Sequence, residues 1–217
     1  MKPRTAVAFL LGVLAGTAAT YVVQSYRHET GWFSKVPALD SRDRPPAWAK
    51  PVAADGLPNL HQINDGLYRG AQPTAEGMKK LADMGVKTVV NLRDHHSDGD
   101  EIGDLPLACE RMQMSAGDPE YDQAVRFLKI INDPARQPAF VHCQHGADRT
   151  GLMCAVYRVA VEGWDKDEAL REMTRGGFGF HGTWEDIPRF LRDLDVEKLR
   201  ADAGLATSQP THGAPAP

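Results

Sequence analysis

Apolar residues recur along this chain in distinct rhythms, and each rhythm predicts a different kind of element. Ala6–Val23 is an uncharged, mostly apolar run of eighteen residues behind Lys2 and Arg4. Further on, Val86-Lys87-Thr88-Val89-Val90-Asn91-Leu92 reads as the clearest β-strand, and Pro138–Val141 as a short buried one. Ile63–Arg69 carries hairpin chemistry, with Asp65-Gly66 at the tip. Arg111–Ser115 predicts another strand. Helical spacing takes over between these. Met78, Leu81 and Met84 follow a Thr74 cap and stop at Gly85; Val125, Leu128 and Ile131 mark a helix from Pro119 to Asn132. Helices are also predicted from Thr150 to about Val161, from an Asp165 cap to about Arg175, and from a Thr183 cap through Trp184 to about Leu199. Helix–Gly–strand succession is an α/β crossover pattern. The predicted fold is therefore α/β: a short, mostly parallel central sheet of about four or five strands, flanked by helices on both faces.

The same pattern divides the chain. Residues 1–23 form a membrane anchor or a signal segment, since eighteen apolar residues lie near the lower limit for a span and suit a long signal core. An uncleaved anchor is favoured because Tyr21-Val22-Val23 continue the run past the small residues Thr17-Ala18-Ala19. Positive charge on the short N-terminal side then puts the remainder outside the cytoplasm; the alternative is a secreted or periplasmic form after cleavage. Residues 24–58 read as a linker punctuated by Pro37, Pro45, Pro46, Pro51 and Pro58, with Trp48 an outlier in it. Residues 59–200 form the folded domain. Residues 201–217 lack an apolar period and read as a disordered tail.

Composition narrows the chemistry. A formal net charge of −4 gives no reason to expect nucleic acid as a partner. Three cysteines, Cys109, Cys143 and Cys154, make no disulfide framework. The acidic stretch from Asp94 to Asp104 reads as a solvated, mobile loop.

One stretch carries the chemistry: His142-Cys143-Gln144-His145-Gly146-Ala147-Asp148-Arg149-Thr150-Gly151. A strand leads in and a helix leads out. A Cys and an Arg five residues apart in that setting describe an anion cradle with a nucleophile at its floor. Backbone N–H groups of Gln144, His145, Gly146, Ala147, Asp148 and Arg149 converge there, and the helix dipole adds positive potential. The field that holds a phosphate also favours a thiolate at Cys143, with His142 in support. The planar fork of Arg149 suits two phosphate oxygens, and the Thr150 hydroxyl can ease the departure of sulfur. A zinc reading of His142, Cys143 and His145 fails because three ligands within four residues do not wrap one tetrahedral ion. No metal or other cofactor is expected.

These ten residues match the H-C-x5-R-[ST]-G signature, and on them the chain resembles the cysteine-based protein tyrosine and dual-specificity phosphatases. Tyr68-Arg69-Gly70-Ala71-Gln72-Pro73 and Asn91-Leu92-Arg93 are similar to the early part of the bacterial members, so the resemblance runs from about Leu57 to Leu199. It implies phosphate-monoester hydrolysis through a phosphocysteine, on a phosphotyrosine protein or a small phosphorylated substrate. The family also includes inositol-phosphate and phosphoinositide phosphatases, and a phosphate-binding pseudophosphatase is the non-enzyme alternative. In the fold of that family the connection Gly176–Gly182 lies beside the loop, which would bring Phe178, Phe180 and His181 to its wall.

Two residues compete as general acid. Asp118 stands 25 residues before Cys143, between a predicted strand and helix, where the family carries this group. Asp148 lies inside the loop, and its Asp-Arg-Thr ending resembles relatives whose loop aspartate acts as acid. Asp148 takes a narrow precedence because a carboxylate beside a phosphate dianion keeps its proton more readily. The loop holds no Lys or additional Arg, which points to a singly phosphorylated target.

Overall fold

In the computed structural model, which describes residues 35–205, six strands form one sheet. They are β1 (Lys50–Pro51), β2 (His61–Asn64), β3 (Leu67–Gly70), β4 (Thr88–Asn91), β5 (Ala108–Arg111) and β6 (Ala139–His142). Their order is β1-β2-β3-β6-β4-β5. β3, β6, β4 and β5 run parallel, while β1 and β2 add an antiparallel edge. Asp65-Gly66 does turn the β2–β3 hairpin, and Asn64 Oδ1 accepts from Gly66 N–H at 3.0 Å. β6 lies centrally, between β3 and β4, and all four of its residues are buried. Its C-terminal end therefore opens onto the carboxyl edge of a parallel sheet, where open α/β sheets bind ligands.

Helices cover both faces. α1 (Ala75–Asp83) and α2 (Gly99–Ile102) pack on one side, where Met78, Leu81, Ile102, Val89 and Phe140 share a core. Thr74 caps α1 as predicted, its hydroxyl accepting from Gly77 N–H at 3.1 Å. The opposite face holds α3 (Tyr121–Ile131), α4 (Asp148–Ala160), α5 (Lys166–Arg175), α6 (Asp186–Asp193) and α7 (Val196–Asp202) around Val90, Val141, Phe127 and Leu152. Val89 and Val90 lie in different cores, as alternate residues of a strand must. α4 is buried almost throughout, which explains why it shows apolar residues all round rather than on one stripe.

Several boundaries differ from the sequence expectation. The linker reading of 24–58 does not describe the chain from Val36 onward. Val36 N–H donates to Phe180 O at 2.7 Å, and Leu39 N–H to Arg175 O at 2.8 Å. Trp48 is buried with its indole N–H on Glu168 at 2.6 Å, and Ala49 N–H donates to Glu172 at 2.6 Å. Prolines that break regular structure do not stop a segment from burying its apolar side chains. Lys50–Pro51 then supplies a sixth strand beyond the expected four or five.

The strand expected over Arg111–Ser115 lies earlier, at Ala108–Arg111, and Ser115 only forms a bridge with Asp118. Helix α3 starts at Tyr121 on a Glu120–Gln123 capping box, not at Pro119. The single helix expected over 184–199 is two, because Asp195 caps α7 afresh by accepting from Lys198 N–H at 3.0 Å; the Thr183 hydroxyl caps nothing. Order continues past residue 200, with α7 reaching Asp202 and Ala203 buried, so the tail boundary at 201 is too early. The apolar run 6–23 and the tail from 206 lie outside the described residues. Among the described residues no helix is long and apolar enough to cross a membrane.

Candidate active site

β6 delivers His142 and Cys143 to the carboxyl edge of the sheet, the chain turns through 144–147, and Asp148 opens α4. Cys143 is 2% exposed at the floor of this turn. Gln144 and His145 are exposed, whereas Gly146, Ala147 and Asp148 are buried. Gly146 has φ +68°, and a Cβ there would lie 2.4 Å from the Gly70 carbonyl. Glycine is thus required by conformation and by close approach together.

The Tyr68–Pro73 segment holds the loop from behind. Arg69, 1% exposed, donates from a guanidinium nitrogen to Gly146 O at 2.7 Å, and Phe178 stacks on that guanidinium at 3.6 Å. Gln72 N–H donates to Gln144 O at 3.3 Å. Asn59, itself at φ +57°, donates through its amide to His145 O at 3.0 Å and Phe178 O at 2.9 Å. These bonds hold the carbonyls of three consecutive loop residues, Gln144, His145 and Gly146.

A second support comes from the stretch expected to be a mobile acidic loop. Asp98 is fully buried, and its carboxylate meets His142 Nε2 at 2.9 Å. The other oxygen takes the Gln72 amide at 2.9 Å, while Arg93 donates to Gln72 Oε1 at 3.0 Å. Burial alone would raise the Asp98 carboxyl, but the hydrogen bond and charge of His142, with Gln72, bring it below the ordinary carboxylate range. His142 Nδ1 lies 3.3 Å from Cys143 O. The sequence offered one signal for Asp98: a histidine at the end of a buried strand requires a polar partner.

The remaining expected residues are placed as follows. Arg149, half-buried, donates to Met114 O at 3.2 Å and stands 3.9 Å from Asp94. Thr150 is fully buried, and its hydroxyl has no hydrogen-bond partner within the described protein. Both Asp148 oxygens accept from His181: Oδ1 from its backbone N–H at 2.9 Å, Oδ2 at 2.8 Å from Nδ1. His181 therefore lies beside the loop, whereas Phe178 and Phe180 are buried behind it. Asp118 is exposed, in the turn closed by the Ser115–Asp118 bridge, and lines a groove of about 480 Å³ with Tyr121, Phe190 and Lys198. Cys109 and Cys154 are free thiols, each pushed up to about 11 and so protonated at neutral pH: Cys154 by full burial, and Cys109, on an exposed residue, by partial desolvation of its thiol together with the charges of Asp98 and Glu110.

An anion cradle with a cysteine floor, a flanking arginine and a buttressed backbone suits nucleophilic displacement at phosphorus. Comparison with known proteins agrees. A family model for the dual-specificity-type phosphatase domain found fused to NAD+ kinase matches residues 53–186. The dual specificity protein phosphatase TpbA of Pseudomonas aeruginosa is 34% identical over 199 residues, 91% of this chain and 86% of that protein. Its crystal structure superimposes with a TM-score of 0.67, covering 76% of this chain and 99% of that one. An inositol diphosphatase of Arabidopsis thaliana is 24% identical over 66% of this chain and 72% of its own length. On the cysteine loop, the fold and these relatives together, the chain belongs to the cysteine-dependent dual-specificity protein phosphatases.

Proposed function

We propose that this chain hydrolyses phosphotyrosine in proteins, with Cys143 as nucleophile. The thiolate attacks phosphorus in line; the phosphorus–oxygen ester bond breaks and a phosphocysteine forms. Arg149 and the loop N–H groups hold the equatorial oxygens, where charge is spread in the transition state. Water then displaces sulfur, and the buried Thr150 hydroxyl donates to the departing thiolate. Asp118 gives the leaving oxygen its proton. It takes this role ahead of Asp148, whose two oxygens are both occupied by His181.

The observation that carries the substrate class is the absence of Lys and Arg from the variable positions of the loop, with the nearby arginines turned onto other acceptors. Its five variable positions hold no Lys or Arg, Arg93 is held by Gln72, and Arg111 donates to Asp94 O at 2.7 Å. The loop itself therefore offers a second phosphate no cation besides Arg149. The TpbA relative has been crystallised with phosphotyrosine, at 34% identity to this chain, which supports the same reading. The inositol diphosphatase relatives favour the second reading, a polyphosphorylated inositol. A panel of phosphotyrosine, phosphoserine and phosphothreonine peptides against inositol phosphates tests it: kcat/KM is expected to be highest for phosphotyrosine, and a higher value for an inositol polyphosphate overturns the assignment. The apolar run 6–23 is proposed to anchor the catalytic domain outside the cytoplasm, and resistance to carbonate extraction tests that.

A further inference from the structure

His145, Asp148 and His181 offer two imidazole nitrogens and a carboxylate oxygen, all within 4.8 Å of one another. Two belong to the loop and the third arrives from 33 residues further along the chain. Spacing along the sequence does not reveal this set, because His181 comes from a different segment of the chain. We propose that these three side chains form a zinc(II) site on the shoulder of the catalytic loop, through which the ion retains phosphate and slows turnover.

The donor set and its support fit that ion. Three protein ligands of imidazole and carboxylate type, with a fourth position open, are a common zinc arrangement. Ligand atoms around a tetrahedral ion with bonds of about 2.0 Å lie about 3.3 Å apart. Asp148 Oδ2 and His181 Nδ1 are already at 2.8 Å, bridged by one proton that the ion replaces. The bond from His181 N–H to Asp148 Oδ1, 2.9 Å, stays in place and orients the carboxylate. The His145 ring centroid is 5.5 Å from that of His181, tilted by 60°, and the exposed His145 side chain closes the remaining gap by a change of rotamer. Its backbone does not have to move, since Asn59 holds His145 O at 3.0 Å.

Such an ion ties the exposed His145 and the buried Asp148 of the loop to the Gly176–Gly182 connection. It also sets a dication, with one position open, on the loop whose N–H groups take phosphate. This consequence rests on the phosphatase reading; the metal site does not. Inorganic phosphate, the product of each turnover, is the anion at hand for the open position. By linkage, zinc then tightens phosphate binding as much as phosphate tightens zinc binding.

The test separates this site from a metal captured by the nucleophile. Cobalt(II), which reports tetrahedral ligation by its visible absorption, is titrated into the full chain carrying Cys143→Ser. One equivalent is expected to give an intense tetrahedral band. His181→Gln or His145→Asn should weaken binding at least about ten-fold, since even outer-shell partners of metal ligands are worth that much. His96→Gln, in the other metal-compatible cluster with Asp98 and Glu101, should leave the band unchanged. Melting temperatures of all variants are compared first, and the two histidines lie on separate segments, so His145→Asn remains informative if His181→Gln misfolds. Absence of a stoichiometric band in Cys143→Ser, or a band indifferent to both histidines, overturns the site. If the band behaves as expected but zinc leaves phosphate affinity unchanged, phosphate retention is overturned.

Discussion

The carboxylate of Asp98 and the ring of His142 meet at 2.9 Å with neither side chain exposed to solvent, 44 residues apart in sequence. This pair joins the loop at 94–104 to the residue immediately before Cys143. Its carboxyl is held below the ordinary range, so the stabilisation it supplies is full above about pH 4, the unfolded carboxylate value. It is lost as pH falls through the lower folded value.

Replacing the charge should expose what the pair does. Asp98→Asn keeps the shape but puts an amide where a carboxylate accepted, leaving a buried hydrogen bond unmade at a cost of about 1–3 kcal/mol. We expect a lower melting temperature near neutral pH and a kcat reduced at least about ten-fold, because His142 no longer holds Cys143 in place. Inhibition by vanadate should change less than kcat does, since the loop N–H groups and Arg149 are untouched. Equal loss of both would mean that the whole loop has collapsed.

The general acid is separable by leaving group. A poor leaving oxygen needs a proton in the transition state, whereas an activated aryl ester does not. Asp118→Asn should therefore slow phenyl phosphate by about 100-fold or more and barely affect a dinitrophenyl ester. Asp148→Asn should slow both to a similar, smaller extent, because its oxygens orient the loop against His181. If Asp148→Asn shows the selective loss instead, the roles are reversed.

Gly146 is the most constrained backbone position of the site. Any Cβ there meets the Gly70 carbonyl at 2.4 Å and strains a φ of +68°. Gly146→Ala should push the loop off the Arg69 guanidinium that holds its carbonyl, reducing kcat/KM by about 100-fold through misplacement. Helical content by circular dichroism should remain near wild type, since the rest of α4 is packed independently. Activity within a factor of about three of wild type would show that the loop tolerates another path.

What the sequence disclosed, and what it hid, follows from how far apart the partners lie. The strand–loop–helix setting of residues 142–151 was legible because it is encoded in consecutive residues. The β2–β3 hairpin and the Thr74 cap were legible for the same local reason. Asp98 was not, since nothing near it in sequence distinguishes it from Asp94, Asp100 or Asp104. Trp48 sat in proline-rich surroundings that resemble a linker, while its partners Glu168 and Arg171 lie more than a hundred residues away. The break between α6 and α7 was invisible to periodicity because Leu191, Leu194 and Leu199 keep an apolar spacing through it. His181 was placed beside the loop by resemblance, but its grip on Asp148 required coordinates.

His61 links acid stability to the same loop. It is buried, its edge lies against Phe178 at 4.7 Å, and Phe178 in turn stacks on the Arg69 that holds Gly146. Burial lowers its folded value to about 4; the Asn59 carbonyl opposes this, while the charges of Arg69 and Arg44 reinforce it. The unfolded chain, with an ordinary histidine near 6.5, binds that proton more readily, so stability is full above about pH 6.5 and falls as pH drops toward 4. By pH 5 this one group accounts for about 2 kcal/mol of lost stability. His61→Gln keeps a donor for Asn59 O at 3.0 Å and does not titrate. Denaturant unfolding at pH 7 and pH 5 should show a larger drop for the wild type than for His61→Gln, by about that amount. Identical drops would mean that His61 is charged in the folded protein at pH 5, and its edge contact with Phe178 would then need a different account.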